Sequence, residues 1–263
     1  MTKLTLTDLD AMKKEGRKIA CLTAYDAGFS RILDESGVDA ILVGDSLGMV
    51  VQGRDSTLGV TLADMIYHTR MVKTGCQRAM IIADMPFMSY ATPARALGSA
   101  ERLIGEAGAE VVKLEGGAVM AETINYLSAR GIAVCAHLGL IPQSIHKLGG
   151  YRVQGRDQTE AEQIMDDAIQ LAEAGASLLV LECVPRELAG TITRQVSIPV
   201  IGIGAGADCD GQVLVLYDIL GISERQLRFS QNFLQSVNSI QTAVKNYVTA
   251  VKAGSFPSAD QQF

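Results

Sequence analysis

The chain has 263 residues, of which 48% are hydrophobic and 20% charged, and its formal net charge is -6. This composition is that of an ordinary globular protein, and the length fits one α/β barrel or two smaller domains. The acidic balance, the absence of tryptophan and the lack of a basic cluster argue against a nucleic-acid partner. The polar N-terminus lacks the apolar core of a signal peptide, and no window reaches the roughly 18 apolar residues that cross a membrane. We therefore expect a cytoplasmic protein without a membrane partner.

Five cysteines are spread along the chain, with no Cys-x-x-Cys motif and no zinc-finger spacing to a histidine. We therefore expect reduced thiols rather than disulfides or a zinc site. Cys21, Cys135 and Cys183 lie in apolar runs and are predicted to be small core residues.

The first predicted element is a helix over residues 7–15, with Thr7 as its N-cap and Gly16 as its end. Short apolar runs rich in β-branched residues then recur along the chain and predict buried strands. The last of these runs is the weakest. They cover residues 19–23, 40–43, 80–83, 110–114, 133–136, 178–181, 200–203 and 212–216.

Helical segments separate most of these strands. Thr61 and Thr92 precede two of them as N-caps, Pro93 suits a first turn, and Thr159 with Glu162 resembles a capping box. Several helices end at a glycine that is followed at once by an apolar strand, which is typical of αβ turns. The predicted helices cover residues 29–35, 62–73, 93–108, 120–129, 159–174, 185–195 and 233–251.

Eight strands separated mainly by helices favour a (β/α)8 TIM barrel over an open doubly wound sheet. No linker divides the chain, so we expect one α/β domain over residues 1–263, with a helical extension at 1–17 and a polar C-terminal tail at 253–263. Two long, Gly-rich connections, residues 47–59 and 139–158, are expected to act as lids or binding loops.

Polar side chains stand at the ends of five consecutive predicted strands. In a barrel the loops after the strands share one face, where active sites lie. Each residue alone has another explanation, such as capping the next helix or facing solvent, but together they predict a site. They are Asp45 with Ser46, Asp84, Lys113 with Glu115, His137 and Glu182.

Asp45, Asp84 and Glu115 predict a magnesium site. Three carboxylates at one barrel mouth repel each other unless a cation neutralises them, and oxygen ligands favour Mg²⁺. Zinc is less favoured because His137 is the one softer ligand nearby. Alternatively, the barrel holds the three acids apart and they pair with Lys113 or with loop amides.

Two further residues suit proton transfer and substrate binding. Lys113 would attract a substrate carboxylate or form a Schiff base. Glu182 emerges from an apolar run, and partial burial would make it a better general base, although it could instead cap the helix near Pro185. Gly202, Gly204 and Gly206 follow the seventh strand and could cradle phosphate or allow close backbone approach.

Several ordered blocks occur along the chain. They are Val43-Gly-Asp-Ser-Leu-Gly-Met49, Ala83-Asp-Met-Pro-Phe-Met88, Val112-Lys-Leu-Glu-Gly-Gly117, His137-Leu-Gly-Leu with Pro142-Gln143, Gly149-Gly-Tyr-Arg-Val-Gln-Gly155, Leu179-Val-Leu-Glu-Cys-Val-Pro185 and Ile198-Pro-Val-Ile-Gly-Ile-Gly-Ala-Gly206. From about residue 19 to residue 251 the chain closely resembles the ketopantoate hydroxymethyltransferase family, whose members act on 3-methyl-2-oxobutanoate. Residues 223–228 and the tail after Gly254 differ from the family's usual basic, Pro-containing segment and longer terminus.

The resemblance implies transfer of a one-carbon unit from 5,10-methylenetetrahydrofolate to 3-methyl-2-oxobutanoate through a Mg²⁺-stabilised enolate, which gives 2-dehydropantoate for pantothenate and coenzyme A synthesis. By motif match, Asp45 and Asp84 ligate Mg²⁺, and Glu115 joins them directly or through water. Asp45, Ser46, Asp84 and Lys113 contact the oxo acid.

The resemblance also implies that Glu182 accepts the proton and that His137 is a neighbouring site residue. It further implies a cytoplasmic homo-oligomer, typically a decamer. Since the substrate carries no phosphate, a phosphate role for residues 202–206 becomes less favoured. A Mg²⁺-dependent lyase or mutase acting on another 2-oxo acid, and a non-catalytic binding barrel, are the alternatives.

Overall fold

Eight parallel strands pair in chain order, and the eighth closes on the first. The structure is a computed structural model that describes residues 2–263. The (β/α)8 TIM barrel is thereby confirmed. The strands are β1 Ile19–Thr23, β2 Ala40–Val43, β3 Met80–Asp84, β4 Val111–Glu115, β5 Val134–Gly139, β6 Leu178–Glu182, β7 Val200–Ile203 and β8 Gly211–Leu214.

Helices surround the barrel and occupy its connections. The bounds of the longer helices agree with the sequence within a few residues, with the exceptions described below. Short helices in the long connections add to them. The helices are α1 Leu6–Lys14, α2 Ala27–Glu35, α3 Leu47–Val50, α4 Leu62–Gly75, α5 Pro93–Gly105, α6 Ala121–Ser128, α7 Ile145–Leu148, α8 Gln158–Glu173, α9 Arg186–Gln195, α10 Leu216–Ile219 and α11 Ile240–Lys252.

The four strands β3 to β6 extend to include the polar residues at their ends, whereas Asp45 and Ser46 lie beyond the end of β2. Asp84 pairs in register with Lys113, and Glu115 pairs with His137. Glu182 likewise belongs to β6 and pairs with Gly139. Backbone pairing with the neighbouring strand continues past the last apolar residue, so these side chains are held by the sheet rather than by flexible loops.

The helix α1 covers the N-terminal end of the barrel. Its side chains Leu9 and Met12 are buried and pack against the apolar residues that fill the lower barrel interior. That apolar layer leaves the opposite end, where the strands finish, as the end that is open to ligands.

Two predicted helix N-caps were wrong. The helix α1 begins after Thr5, whose side chain and that of Asp8 form a capping box, and Thr7 lies inside the helix. The helix α8 is capped by Asp157, which accepts a hydrogen bond from the Glu160 amide at 2.9 Å, so the expected capping box at Thr159 is not formed. Each acceptor lies two residues before the predicted cap, where it reaches the free amides of the first turn.

The last helix starts later than predicted. Ser239 caps α11 through the amide of Thr242 at 3.1 Å, whereas Asn232 accepts bonds from the next amides along the chain and forms a turn. Phe233 therefore lies outside the helix and packs on the buried Tyr247, with ring centroids 5.6 Å apart.

The C-terminal segment packs back onto the barrel. Phe256 is buried against Phe233 and Tyr247. The carbonyl of Phe263 accepts a hydrogen bond from the Arg186 amide at 3.0 Å. The segment predicted as a polar tail therefore joins the apolar core at one position and reaches the open end of the barrel at another.

All five cysteines are buried and unpaired, and the burial of Cys21, Cys135 and Cys183 confirms their prediction as core residues. Among residues 2–263, no helix has both the length and the apolar character to cross a membrane.

Candidate active site

A cavity of about 1180 Å³ opens where the strands end. Every site residue predicted from the sequence lines it, so the barrel brings the whole predicted set together. The set comprises Asp45, Ser46, Asp84, Lys113, Glu115, His137 and Glu182. Both long connections line the cavity as well, which agrees with their expected role as binding loops.

Lys113 lies among the carboxylates at the base of this cavity. Its Nζ is 2.9 Å from Oδ1 of Asp84 and 3.9 Å from Oε1 of Glu115. Burial disfavours the charged amine, but Asp84, Glu115 and Asp45 outweigh it and raise the pKa of Lys113. The amine is therefore held protonated, which disfavours the Schiff-base alternative because that reaction needs a neutral amine.

Asp45 is buried against two other acids. Its backbone amide donates to Oδ2 of Asp84 at 3.0 Å. Burial, followed by repulsion from Asp84 and Glu115, raises the pKa of the Asp45 carboxyl well above its usual value. Asp45 does not cap the following helix, because Ser46 occupies that cap position and makes no capping bond. The Asp45 carboxylate is thus in an environment that an added cation would stabilise.

Gln143 is a site residue that the sequence analysis quoted without assigning it a role. Its Nε2 donates to Oδ2 of Asp45 at 2.8 Å and to the carbonyl of Met85 at 2.9 Å, and its Oε1 accepts from Tyr90 at 2.5 Å. Its backbone amide donates to Oε2 of Glu115 at 3.0 Å. Gln143 therefore fixes the orientations of two predicted metal ligands. Its place in the connection after β5 was the one available signal, and it does not distinguish Gln143 from other loop amides.

His137 connects the carboxylate cluster to Glu182. Its Nδ1 lies 3.2 Å from Oε1 of Glu115 and 3.3 Å from Nζ of Lys113, and its Nε2 lies 3.3 Å from Oε2 of Glu182. The Nε2 contact is close but not aligned as a hydrogen bond. Burial and Lys113 oppose a charged ring, yet contacts with Glu115 and Glu182 leave the pKa of His137 raised.

Glu115 is engaged on both oxygens. Burial disfavours its charge, but His137 and Lys113, with the Gln143 amide, hold its pKa below the usual value. Each of its oxygens meets a protein donor, so in this arrangement Glu115 orients the site. Its ligation of Mg²⁺, directly or through water, stays a prediction.

The Glu182 side chain lines the cavity and does not cap a helix. The N-cap position of α9 belongs to Pro185 and has no side-chain capping bond, so Glu182 is not the helix cap that the sequence left open. Its side chain keeps 16% of its surface exposed, whereas that of His137 keeps 3%. Glu182 is therefore the carboxylate that a substrate could reach.

Ser46 also has a defined neighbour. Its Oγ lies 2.9 Å from the hydroxyl of Tyr25, which follows β1. Tyr25 is buried, and burial raises the pKa of its hydroxyl, so it stays a neutral donor or acceptor. Ser46 is thereby placed at the cavity wall beside Asp45.

The donor set fits a magnesium ion with two protein carboxylates. Within residues 2–263, no group of three His, Cys, Asp or Glu side chains is arranged to hold a metal unaided. However, Oδ1 of Asp84 has the Lys113 amine at 2.9 Å but no aligned hydrogen bond, and the Asp45 carboxylate beside it is destabilised by its acidic neighbours. Mg²⁺ accepts one or two carboxylates when water and substrate oxygens complete its shell. Asp45 and Asp84 are the residues that fit.

The glycines after β7 allow close packing. A Cβ at Gly204 would lie 2.9 Å from Phe229 and 3.2 Å from Phe263, and one at Gly206 would lie 2.7 Å from Arg186. Both residues also have positive φ angles, 61° and 82°. Close approach therefore accounts for them, and the phosphate role stays a prediction.

Comparison with known proteins gives full-length matches. Residues 3–259 match the family described as ketopantoate hydroxymethyltransferase. The 3-methyl-2-oxobutanoate hydroxymethyltransferase of Thiobacillus denitrificans is 58% identical over 261 residues, which cover 99% of this chain and 99% of that protein. The protein of the same name from Nitrosococcus oceani is 57% identical over 258 residues, covering 98% of each chain.

A solved structure shares the fold at low sequence identity. Phosphonopyruvate hydrolase in complex with oxalate and Mg²⁺ aligns with a TM-score of 0.63 and 13% identity, over 96% of this chain and 99% of that chain. This likeness concerns the barrel alone. The sequence matches extend over nearly the whole chain, and the chain therefore belongs to the ketopantoate hydroxymethyltransferase family.

Proposed function

We propose that this protein transfers a hydroxymethyl unit from 5,10-methylenetetrahydrofolate to 3-methyl-2-oxobutanoate and forms 2-dehydropantoate for pantothenate and coenzyme A synthesis. The observation that carries the proposal is the facing arrangement of Asp45, Asp84 and charged Lys113 with Glu182 in one cavity. The full-length relatives support this transferase over a lyase or mutase with the same barrel.

The predicted cofactor is Mg²⁺, with Asp45 and Asp84 as the residues that would hold it. When bound, Mg²⁺ supplies Lewis acidity that stabilises the negative charge of the enolate formed from the oxo acid. Glu115 supports this pair from outside, because its contacts with His137 and the Gln143 amide hold the surrounding side chains.

The remaining steps belong to the side chains of this protein. Lys113 offsets the negative charge of the oxo acid, and Ser46 contacts it from the cavity wall. Glu182 removes the proton from C3, which makes that carbon the nucleophile for the one-carbon unit of the folate. A water molecule supplies the hydroxyl oxygen of the transferred unit, and tetrahydrofolate leaves. His137, at 3.3 Å from Glu182, orients this carboxylate.

Formation of a labelled product tests the proposal. The protein would be incubated with 3-methyl-2-oxobutanoate, ¹³C-labelled 5,10-methylenetetrahydrofolate and Mg²⁺, and the products followed by NMR. We expect labelled 2-dehydropantoate, with loss of product in EDTA and recovery on adding Mg²⁺. No labelled product under complete conditions would contradict the transferase, and full turnover in EDTA would contradict the metal.

Location and assembly are also proposals. Five buried, unpaired cysteines support a reducing compartment such as the cytoplasm. The homodecamer stays a prediction from family resemblance, which sedimentation velocity of the purified protein would test.

A further inference from the structure

Five arginines surround the outer part of the cavity and are called the rim arginines below. All of them are exposed, and within residues 2–263 none has a carboxylate oxygen within ion-pairing distance. An arginine without such a partner keeps its fork of donors for an anionic ligand. The rim arginines are Arg54, Arg152, Arg156, Arg225 and Arg228.

The charges in the cavity are separated between its base and its rim. At the base, the carboxylates of Asp45, Asp84 and Glu115 surround Lys113, and together with Glu182 they leave a net negative charge. At the rim, the five arginines exceed the three acids that line the same region, Asp55, Asp218 and Glu224. A ligand that fits both regions therefore carries its negative groups away from the reacting end.

The cavity is also larger than the oxo acid requires. Its volume of about 1180 Å³ exceeds the roughly 300–1,000 Å³ that is usual for drug-sized ligands. Aromatic side chains that could stack on a flat ring line it beside the arginines, and the Arg228 guanidinium lies 5.1 Å from the centroid of the Phe263 ring. These side chains are Tyr151, Tyr217, Phe229 and Phe263.

We propose that the rim arginines bind the glutamate tail of the folate and that they select a folate carrying several γ-linked glutamates. The inference rests on the proposed function, since it assigns a subsite to the one-carbon donor. Each γ-linked glutamate adds one free α-carboxylate, and an arginine fork pairs with a carboxylate through two parallel hydrogen bonds. The arginines come from three separate segments of the chain, so a tail with several carboxylates engages more of them than a single glutamate does.

Calorimetric titration of the full-length protein tests this inference with two ligands, the monoglutamate and the pentaglutamate of tetrahydrofolate. Wild-type protein should bind the pentaglutamate roughly tenfold more tightly than the monoglutamate, because several exposed arginine–carboxylate pairs each contribute a small binding free energy. The preference should fall as salt increases, since exposed ion pairs are screened. Pteroyl-free γ-pentaglutamate peptide should compete with the pentaglutamate form.

Arg156 and Arg225 are the cleanest positions for substitution, because within residues 2–263 their side chains make neither ion pairs nor hydrogen bonds. The other three rim arginines, Arg54, Arg152 and Arg228, donate to backbone carbonyls. The double variant Arg156→Gln/Arg225→Gln should lose most of the pentaglutamate preference. The control Arg95→Gln removes an exposed arginine that does not line the cavity, and this variant should keep the pentaglutamate preference. Thermal melting of each variant checks that the fold is intact.

Equal affinity for both folates in the wild type, or an undiminished preference in the double variant, would overturn the inference. Binding of inorganic tripolyphosphate with no competition by the γ-pentaglutamate peptide would also overturn it and would assign the rim to phosphates. Deuterium exchange at C3 of the oxo acid, measured on the wild type, reports separately on the proposed function. If exchange occurs while both folates bind equally, the tail inference alone fails.

Discussion

Gln143 holds together the two sides of the carboxylate cluster. It is 5% exposed and contacts Asp45, Tyr90, the Met85 carbonyl and, through its backbone, Glu115. Nothing in its sequence surroundings distinguishes it from other loop amides. Its importance arises from the path of the β5–α8 connection, which passes back over the ends of the strands.

Replacing Gln143 by methionine keeps its approximate size and removes its donors and acceptor. Because buried polar partners would be left without hydrogen bonds, the free energy of unfolding should fall by about 2–4 kcal/mol. Urea denaturation measures this change. The matched control Gln170→Met, on the exposed face of α8, should change it by about 0.5 kcal/mol or less. Equal, small effects in both variants would show that the Gln143 network is energetically unimportant.

We expect the Asp45 carboxylate to destabilise the metal-free protein, although it is one of the two residues that we propose bind Mg²⁺. Its pKa is raised by burial and then by Asp84 and Glu115, so the folded state binds a proton that the unfolded state releases near pH 3.9. Stability of the metal-free protein therefore decreases as the pH rises from the unfolded pKa through the higher folded pKa, and stays reduced above it.

The Asp45→Asn variant removes this repelling charge. In EDTA at neutral pH we expect it to be about 1–2 kcal/mol more stable than the wild type, and to lose the increase in melting temperature that Mg²⁺ gives the wild type. Melting curves with EDTA and with Mg²⁺ measure both effects. The control Asp55→Asn, at the exposed rim, should retain the Mg²⁺ response. A variant destabilised in EDTA would contradict the account of Asp45.

The strands β3 to β6 carry functional residues within the sheet, one position beyond the predicted strand ends, whereas Asp45 and Ser46 follow β2. The sequence places the apolar runs correctly, because buried parallel strands are continuous apolar segments. It does not reveal where pairing stops, since that depends on the neighbouring strand. Asp84, Glu115, His137 and Glu182 are therefore more rigidly held than residues in loops would be.

The start of α8 shows why helix caps were harder to predict. Asp157 and Thr159 are both suitable capping residues close together, and the turn after Gly155 decides which one reaches the free amides. Asp157→Ala should therefore lower the free energy of unfolding by about 1 kcal/mol, whereas Thr159→Ala should change it by about 0.5 kcal/mol or less. Chemical denaturation of both variants decides this, and the reverse order of effects would restore Thr159 as the cap.

The molecule as a whole is an apolar barrel closed below by Leu9 and Met12 and open above at a large cavity. The fold and the predicted site residues could be derived from the sequence, because strand periodicity and the polar strand ends are local signals. The contribution of Gln143, the late start of α11 and the return of Phe263 to the cavity could not, because they depend on contacts between distant parts of the chain.

The barrel also separates a negative base from a positive rim. Lys113 and its acids come from strand ends, which the sequence indicates, but the rim arginines come from three loops that show no common pattern. Their convergence follows only from the closure of the barrel.

The most direct measurement is deuterium exchange at C3 of 3-methyl-2-oxobutanoate in D₂O, with Mg²⁺ and without folate. The wild type should catalyse the exchange, as should the control Glu187→Gln on the exposed side of α9. Glu182→Gln should lower the rate by about 100-fold or more, because general-base catalysis contributes on that order. Exchange at the wild-type rate in Glu182→Gln would contradict the assignment of Glu182 as the base, and no exchange in the wild type would contradict the enolate mechanism itself.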